Sequence, residues 1–212
     1  MPGGWTMSMT WMRMPGQSWP GAAAMFLGMW LVMMLAMMLP SLLPMLWRYR
    51  HGVAALAGAG YFLVWTVVGV IVFLFGVALA AIVMQQPVLA RTVPIAAGIV
   101  VLAAGILQFT HWKLRHLSCC RATPVQSRTQ PGDDAGAFRY GVRLGLHCVQ
   151  CCGGLIAILL VIGVMNLAAM TVVAVAISVE RLLPAGPRVA RIMGAVVVAT
   201  GVLLIARATA FG

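Results

Sequence analysis

Acidic side chains are nearly absent from this sequence of 212 residues. Asp and Glu together number three against fourteen Lys and Arg, and charged residues make up only 8% of the chain. Soluble domains carry about a quarter of charged residues, so this composition excludes an ordinary soluble domain. So few carboxylates leave almost nothing from which to build an acid/base dyad or a di-iron site. Because the sequence also lacks a G-x-x-x-x-G-K-[ST] phosphate loop and an H-E-x-x-H pair, we predict that the protein is not an enzyme.

Long apolar runs dominate instead, and 63% of the residues are hydrophobic. A helix that spans a membrane needs about 20 apolar residues. The sequence offers six such runs, at about 22–46, 54–83, 93–111, 144–164, 167–183 and 189–209. We therefore predict an all-α polytopic membrane protein, a bundle of about six transmembrane helices.

The segments outside these runs are too short for a second folded domain. Residues 1–21, rich in Met, Trp and Pro, predict an exposed arm, and residues 22–212 predict one transmembrane domain with a polar cytoplasmic loop at about 113–143. The fourth and fifth runs meet at residues 165 and 166 with almost no connection. A tight turn is predicted there, and Gly163 and Asn166 are suitable turn residues.

The positive charges predict how the bundle lies in the membrane. Eleven of the fourteen Lys and Arg fall in the connections after the first, third and fifth runs, and three fall on the other side. Because positive residues stay in the cytoplasm, both termini are predicted to be extracytoplasmic, with the chain in the cytoplasmic membrane. The net charge of +11 then fits anionic headgroups of the lipid bilayer, and no nucleic-acid partner is predicted.

A cluster of Cys and His opens the fourth run, at residues 147–152. In a helix His147 and Cys151 share one stripe, and Cys148 and Cys152 share the adjacent stripe, because positions i and i+4 lie on one face. Thiolate and imidazole ligands suit copper(I), zinc or iron–sulfur chemistry. The alternative is that each Cys is simply a small apolar residue of the helix.

Other soft ligands lie on both predicted sides of the membrane. The polar loop adds a His and two Cys on the inner side, while the arm carries four closely spaced Met outside. Thioethers select copper(I), although a Met- and Trp-rich segment resting on headgroups is an equal alternative. The predicted metal ligands are Cys148, Cys151, Cys152, Cys119, Cys120, His116, His147, Met7, Met9, Met12 and Met14.

The first apolar run carries a stripe of methionines. Met25, Met29, Met33 and Met37 recur every four residues, and Met34, Met38 and Met45 lie beside them. Such a stripe offers thioethers that pass a soft metal between the two faces of the membrane. The alternative is that these flexible side chains only fill helix interfaces.

Glu180 is the one acidic residue within or next to a predicted span. Intramembrane acids are functional candidates, but this residue has Arg181 beside it. We therefore predict a structural ion pair.

Several blocks of sequence also carry a family resemblance. They are Met29-Trp30 with Met37-Met38-Leu39-Pro40-Ser41, Gln108-x-Thr110-x-x-Lys113 with Cys120-Arg121, Gly145-x-x-Cys148-x-x-Cys151-Cys152, and Met165-Asn166-Leu167-x-x-Met170 followed by Glu180. In this order, over nearly the whole chain, they resemble a bacterial family of integral membrane proteins of unknown function that are predicted to bind metal. His116 stands where the family pattern has Cys, which departs from an all-thiolate site. The resemblance implies metal binding and no particular reaction.

Three functional hypotheses follow. The first is a membrane protein that binds a soft metal, with copper(I) ahead of zinc, and handles it or delivers it to a metal-accepting protein. The second is a non-catalytic accessory subunit or assembly partner of a larger membrane metalloenzyme complex, which a short apolar chain also suits. The third is a membrane thiol redox protein, because Cys148 and Cys151 have C-x-x-C spacing.

Overall fold

The computed structural model describes residues 18–46, 51–111, 113, 134–163, 166–182 and 186–211. Every regular element within these residues is an α-helix, which confirms the all-α prediction. In chain order the helices are α1 (Trp19–Leu46), α2 (His51–Gln85), α3 (Pro87–Leu107), α4 (Asp134–Ile162), α5 (Leu167–Leu182) and α6 (Gly186–Phe211).

Among the residues that the structure describes, four helices are long and apolar enough to cross a membrane. These candidate spans lie in α1, α2, α4 and α6 and contain 22 to 34 residues, whereas the apolar part of α3 is shorter and α5 has 16 residues. Large apolar side chains point outward, and Phe75 is 71% exposed. A surface of this kind fits a lipid environment. The structure thus indicates a membrane protein, while six spans and extracytoplasmic termini remain predictions.

Helix α4 begins at Asp134, well before the start predicted at residue 144. Arg139 and Arg143 interrupt the apolar run here, which is why the segment resembled part of a polar loop. In the structure Ala137, Gly141 and Gly145 recur every four residues and are buried. Small residues at this spacing let membrane helices approach closely, and this was the signal for the longer helix.

Glycines bring α4 against α2. A Cβ at Gly60 would collide with the Phe138 carbonyl, and one at Gly141 would collide with the Ala57 carbonyl. A Cβ at Gly145 would lie 3.1 Å from the Tyr61 carbonyl oxygen. Later residues of α2 meet later residues of α4, so the two helices run parallel. Lipid gives membrane helices little hydrophobic reason to associate, and backbone approach at glycine brings them into close van der Waals contact.

Helix α1 is anchored to α2 through Trp30. Its indole Nε1 donates a hydrogen bond to the Trp65 carbonyl at 3.0 Å. Gly69 makes room for the ring, since a Cβ there would lie 2.7 Å from Trp30 Cδ1. Met34 and Met38 follow Trp30 at successive helical turns on the same face. The anchor therefore fixes which side of α1 faces the interior.

Helices α3 and α6 pack against each other in the opposite sense. A Cβ at Gly105 would lie 2.8 Å from the Val198 nitrogen, and one at Gly201 would lie 2.8 Å from the Leu102 nitrogen. Earlier residues of α3 thus meet later residues of α6, so the pair is antiparallel.

A tight turn joins α4 to α5, as predicted. Gly163 has φ +116°, a left-handed conformation that glycine adopts without the steric penalty of other residues. The Asn166 Oδ1 accepts a hydrogen bond from the Ala169 N–H at 3.0 Å and so caps the start of α5.

Candidate metal centre

Cys148 lies at the meeting point of three helices. Its side chain on α4 is 0% exposed. The Tyr61 hydroxyl, from α2, donates a hydrogen bond to Cys148 Sγ at 3.0 Å. The Met38 thioether, from α1, has its Sδ 3.8 Å from the same sulfur. The close packing of Gly141 and Gly145 on α2, together with the Trp30 anchor, places these groups around one sulfur atom.

The other two cysteines of α4 extend this group. Cys152 lies one turn after Cys148, and its side chain hydrogen-bonds with both Cys148 and Cys151. Cys151 and Cys152 are 2% and 1% exposed. All three are free thiols. We call Met38, Cys148, Cys151 and Cys152 the sulfur cluster.

The methionine stripe of α1 is buried only in its second half. Met33, Met34, Met37 and Met38 are each at most 4% exposed, whereas Met25 is 70% exposed. The side chain of Met45 lies outside the described residues. Thioethers therefore line the interior on approach to Cys148, and the structure fits both metal passage and simple packing.

Of the remaining predicted ligands, the structure describes only His147. His147 is half-buried. Within the described ranges no three side chains of His, Cys, Asp or Glu converge as ligands for one metal ion. The donors in contact are three thiols and a thioether, and Met38 is the member that sequence reasoning did not assign to the site. Cys119, Cys120, His116, Met7, Met9, Met12 and Met14 lie outside the described residues.

A buried ion pair lies at the end of α5. The Glu180 carboxylate Oε2 is 3.0 Å from the Lys113 ammonium Nζ, and the two side chains are 1% and 5% exposed. The predicted ion pair rested on the neighbouring Arg181, whereas the structure pairs Glu180 with Lys113, which the sequence had placed in a polar loop. The buried pair joins the chain after α3 to α5.

This combination of fold and site defines a class of protein. A bundle of apolar helices encloses free thiols beside a thioether, which is a donor set for a soft metal ion in a membrane protein. A family model described as "PpoB2: Copper chaperone" matches residues 27–204. The chain belongs to this copper chaperone family.

The match narrows the predicted metal chemistry. The matched family is related to copper, which agrees with the metal binding implied by the motif blocks. The match does not identify the chain as a member of the family that those blocks resemble. No curated protein and no solved structure matches the chain.

Proposed function

We propose that this protein binds copper(I) inside the membrane at the sulfur cluster and delivers it to a metal-accepting protein. The observation that carries the proposal is the contact between Cys148 Sγ and Met38 Sδ at 3.8 Å. Membership of a copper chaperone family supports the choice of metal.

The separation of the two sulfurs suits one shared ion. Metal–thiolate bonds are about 2.3 Å long for zinc, and bonds of similar length would place a 3.8 Å sulfur pair on one ion at an angle of roughly 110°. Only small movements of Cys148 and Met38 are then needed for binding. Cys152, which hydrogen-bonds to Cys148, is the next available sulfur.

The nature of the donors favours copper(I) over zinc. Zinc is held by Cys, His, Asp or Glu, usually four of them, whereas a thioether is a ligand for copper(I). One thiolate from Cys148, the neutral Met38 thioether and one Cu⁺ also sum to zero net charge. A neutral group costs much less to bury than an ion, and all the donors here are buried.

Metal analysis of the purified protein tests the proposal. We expect near-stoichiometric copper after extraction in mild detergent under reducing conditions, and its loss in a Cys148→Ser/Cys152→Ser variant. Met38→Leu keeps the side-chain volume but removes the thioether, so the copper(I) affinity should fall by more than about tenfold.

Met25→Leu is the matched control. Met25 lies on the same helix and is 70% exposed, so its replacement should leave copper binding unchanged. Equal affinities for the Met38 and Met25 variants would show that the thioether is not a ligand. Copper that stays bound in the double Cys variant would remove the sulfur cluster from consideration.

The thiol redox hypothesis predicts a different result. Reactive redox cysteines are partly exposed, whereas Cys148 and Cys151 are 0% and 2% exposed. A disulfide that forms and breaks between them, found by differential alkylation in copper-free protein, would favour that hypothesis over copper binding.

A further inference from the structure

A cavity of about 310 Å³ lies between α3 and α4, beside the sulfur cluster. Its walls include Ala104 and Leu107 of α3 and Gly153 and Gly154 of α4. A Cβ at Gly153 would meet nothing within 4 Å, so the absence of a side chain there leaves the space open. Ligand pockets start at about 300 Å³, which makes this cavity large enough for a small molecule.

Gln108 gives the cavity a polar group with unused hydrogen-bonding capacity. The residue lines the cavity and is 2% exposed. Neither its Oε1 nor its Nε2 has a hydrogen-bond partner among the residues that the structure describes. Leaving such a buried group unpaired costs about 1–3 kcal/mol. A ligand that both accepts and donates a hydrogen bond would remove this cost.

Cys151 connects the cavity to the sulfur cluster. It forms part of the cavity wall, and the Cys152 side chain hydrogen-bonds with both Cys151 and Cys148. On the other side of Cys148, the Met38 Sδ lies 3.8 Å from the Cys148 Sγ. A continuous series of sulfur atoms thus leads from the cavity to the proposed copper site.

We propose that this cavity is an exchange port, in which a small thiol that bears amide or amino-acid groups gives copper(I) to Cys151 or takes it away. This inference rests on the copper(I) site proposed above. On loading, a bond forms between copper and Cys151 Sγ while the bond between copper and the carrier sulfur breaks. The proton released by the Cys151 thiol passes to the departing carrier thiolate. Copper remains copper(I) throughout, so no oxidant or reductant is needed.

The walls of the port define the carrier's chemistry. The Gln108 Nε2 donates to a carbonyl or carboxylate oxygen, and its Oε1 accepts from an N–H group. Lys113 also lines the same space, with its ammonium held by the Glu180 carboxylate at 3.0 Å. The predicted topology would place this end of the bundle on the cytoplasmic side, where small thiols stay reduced.

The experiment measures how fast bound copper exchanges with a small thiol. Purified protein in detergent is loaded with isotopically enriched copper(I) and mixed with excess reduced glutathione as the probe. The copper that remains on the protein is then followed by rapid desalting and mass spectrometry. Equilibrium affinity is measured separately by competition with bicinchoninate, a rigid chelator.

Gly153→Leu fills the cavity and is the main variant. We expect exchange to slow about tenfold, which corresponds to a barrier higher by about 1.4 kcal/mol, with unchanged equilibrium affinity. Gly28→Leu is the matched control, because a Cβ at Gly28 also meets nothing within 4 Å but lies on α1. Its exchange rate should equal that of the unchanged protein.

Gln108→Leu tests the carrier's chemistry independently of cavity filling, and it adds no thioether that could bind copper(I). Exchange with glutathione should slow in this variant, while exchange with 2-mercaptoethanol, which has no amide or carboxylate, should not. Equal slowing with both thiols would show that Gln108 binds no carrier group and would overturn the proposed ligand class.

The outcomes separate this inference from the copper site itself. An unchanged exchange rate in Gly153→Leu would overturn the port. A loss of equilibrium copper(I) affinity in Gly153→Leu would also overturn the port, because the cavity would then be part of the copper-binding site itself. If the unchanged protein binds no copper, the proposed function fails before the port is tested.

Discussion

Tyr61 contributes the one hydroxyl that donates to a sulfur of the cluster in the described part of the chain, at 3.0 Å from Cys148 Sγ. When the thiol becomes a copper-bound thiolate, its sulfur carries more negative charge and accepts this bond more strongly. The hydroxyl therefore stabilises the loaded state more than the empty state. At the proposed copper site Tyr61 is a positioning residue, because it contacts Cys148 and not the metal.

Tyr61→Phe should weaken copper(I) binding while the ring packing remains. Loss of a hydrogen bond to a charged acceptor costs about 1.5 kcal/mol or more, which is roughly a tenfold loss of affinity. Competition with bicinchoninate measures the change. Tyr140→Phe, at a half-buried position of the same core, is the control and should bind as before. An unchanged affinity in Tyr61→Phe would show that the hydroxyl only fills space.

Single-residue predictions succeeded where the spacing along one helix determines the outcome. The i, i+4 relation placed Cys148 and Cys152 on one face, and both are buried together. Met38 is separated from Cys148 by 110 positions and lies on another helix. The spacing of residues along one helix does not predict which faces of different helices come into contact. Lys113 was likewise assigned to a loop by its charge, because its partner Glu180 lies far along the chain.

Close packing of α2 and α4 depends on glycine, and Gly141 gives a direct test of this pair. A Cβ there would collide with the Ala57 backbone carbonyl, which cannot rotate away as a side chain can. Gly141→Ala should therefore destabilise the protein by about 1–3 kcal/mol, although Ala is the better helix former by about 1 kcal/mol. Thermal unfolding in detergent measures the difference.

Gly58→Ala serves as the matched control on α2. A Cβ at Gly58 meets nothing within 4 Å, so only the helix propensity changes and the stability should stay equal or rise. If Gly141→Ala is as stable as Gly58→Ala, the approach of the two helices does not depend on glycine. Weaker copper binding in Gly141→Ala would in addition link the helix pair to the position of Tyr61.

At the level of elements, long apolar runs and turn chemistry predicted most of the helices. The turn at Gly163 and Asn166 was foreseen because both residues suit turns. The early start of α4 was missed, because Arg139 and Arg143 lowered the apolar character of a segment that packs through small residues. Patterns of small residues carry the relevant information wherever helices pack in lipid.

The distribution of positive charge makes a prediction for the whole molecule. Eleven Lys and Arg on one side against three on the other should keep both termini outside the cytoplasm. Alkaline phosphatase fused after Gly212 should be active and a fluorescent protein at the same place should be dark. Fusions within residues 121–132 should give the reverse. A fluorescent carboxy-terminal fusion would contradict the predicted topology.

The arrangement of the helices could not be predicted from composition, because lipid-facing and protein-facing residues are both apolar. Phe73 is 8% exposed and Phe75 is 71% exposed, yet nothing in the sequence distinguishes these neighbours. Membrane character therefore followed from the sequence, while the interior of the bundle required the structure.

The short turn between α4 and α5 determines how far along each helix Cys148 and Glu180 lie from the point where the two helices are joined. At 1.5 Å per residue, the path from Ile162 back to Cys148 and the path from Leu167 forward to Glu180 are each about 20 Å. The two paths from the turn are therefore of equal length, and Glu180 interacts electrostatically with Cys152. The buried carboxylate and the buried thiols are thus neighbours although 28 positions separate Glu180 from Cys152 in the sequence.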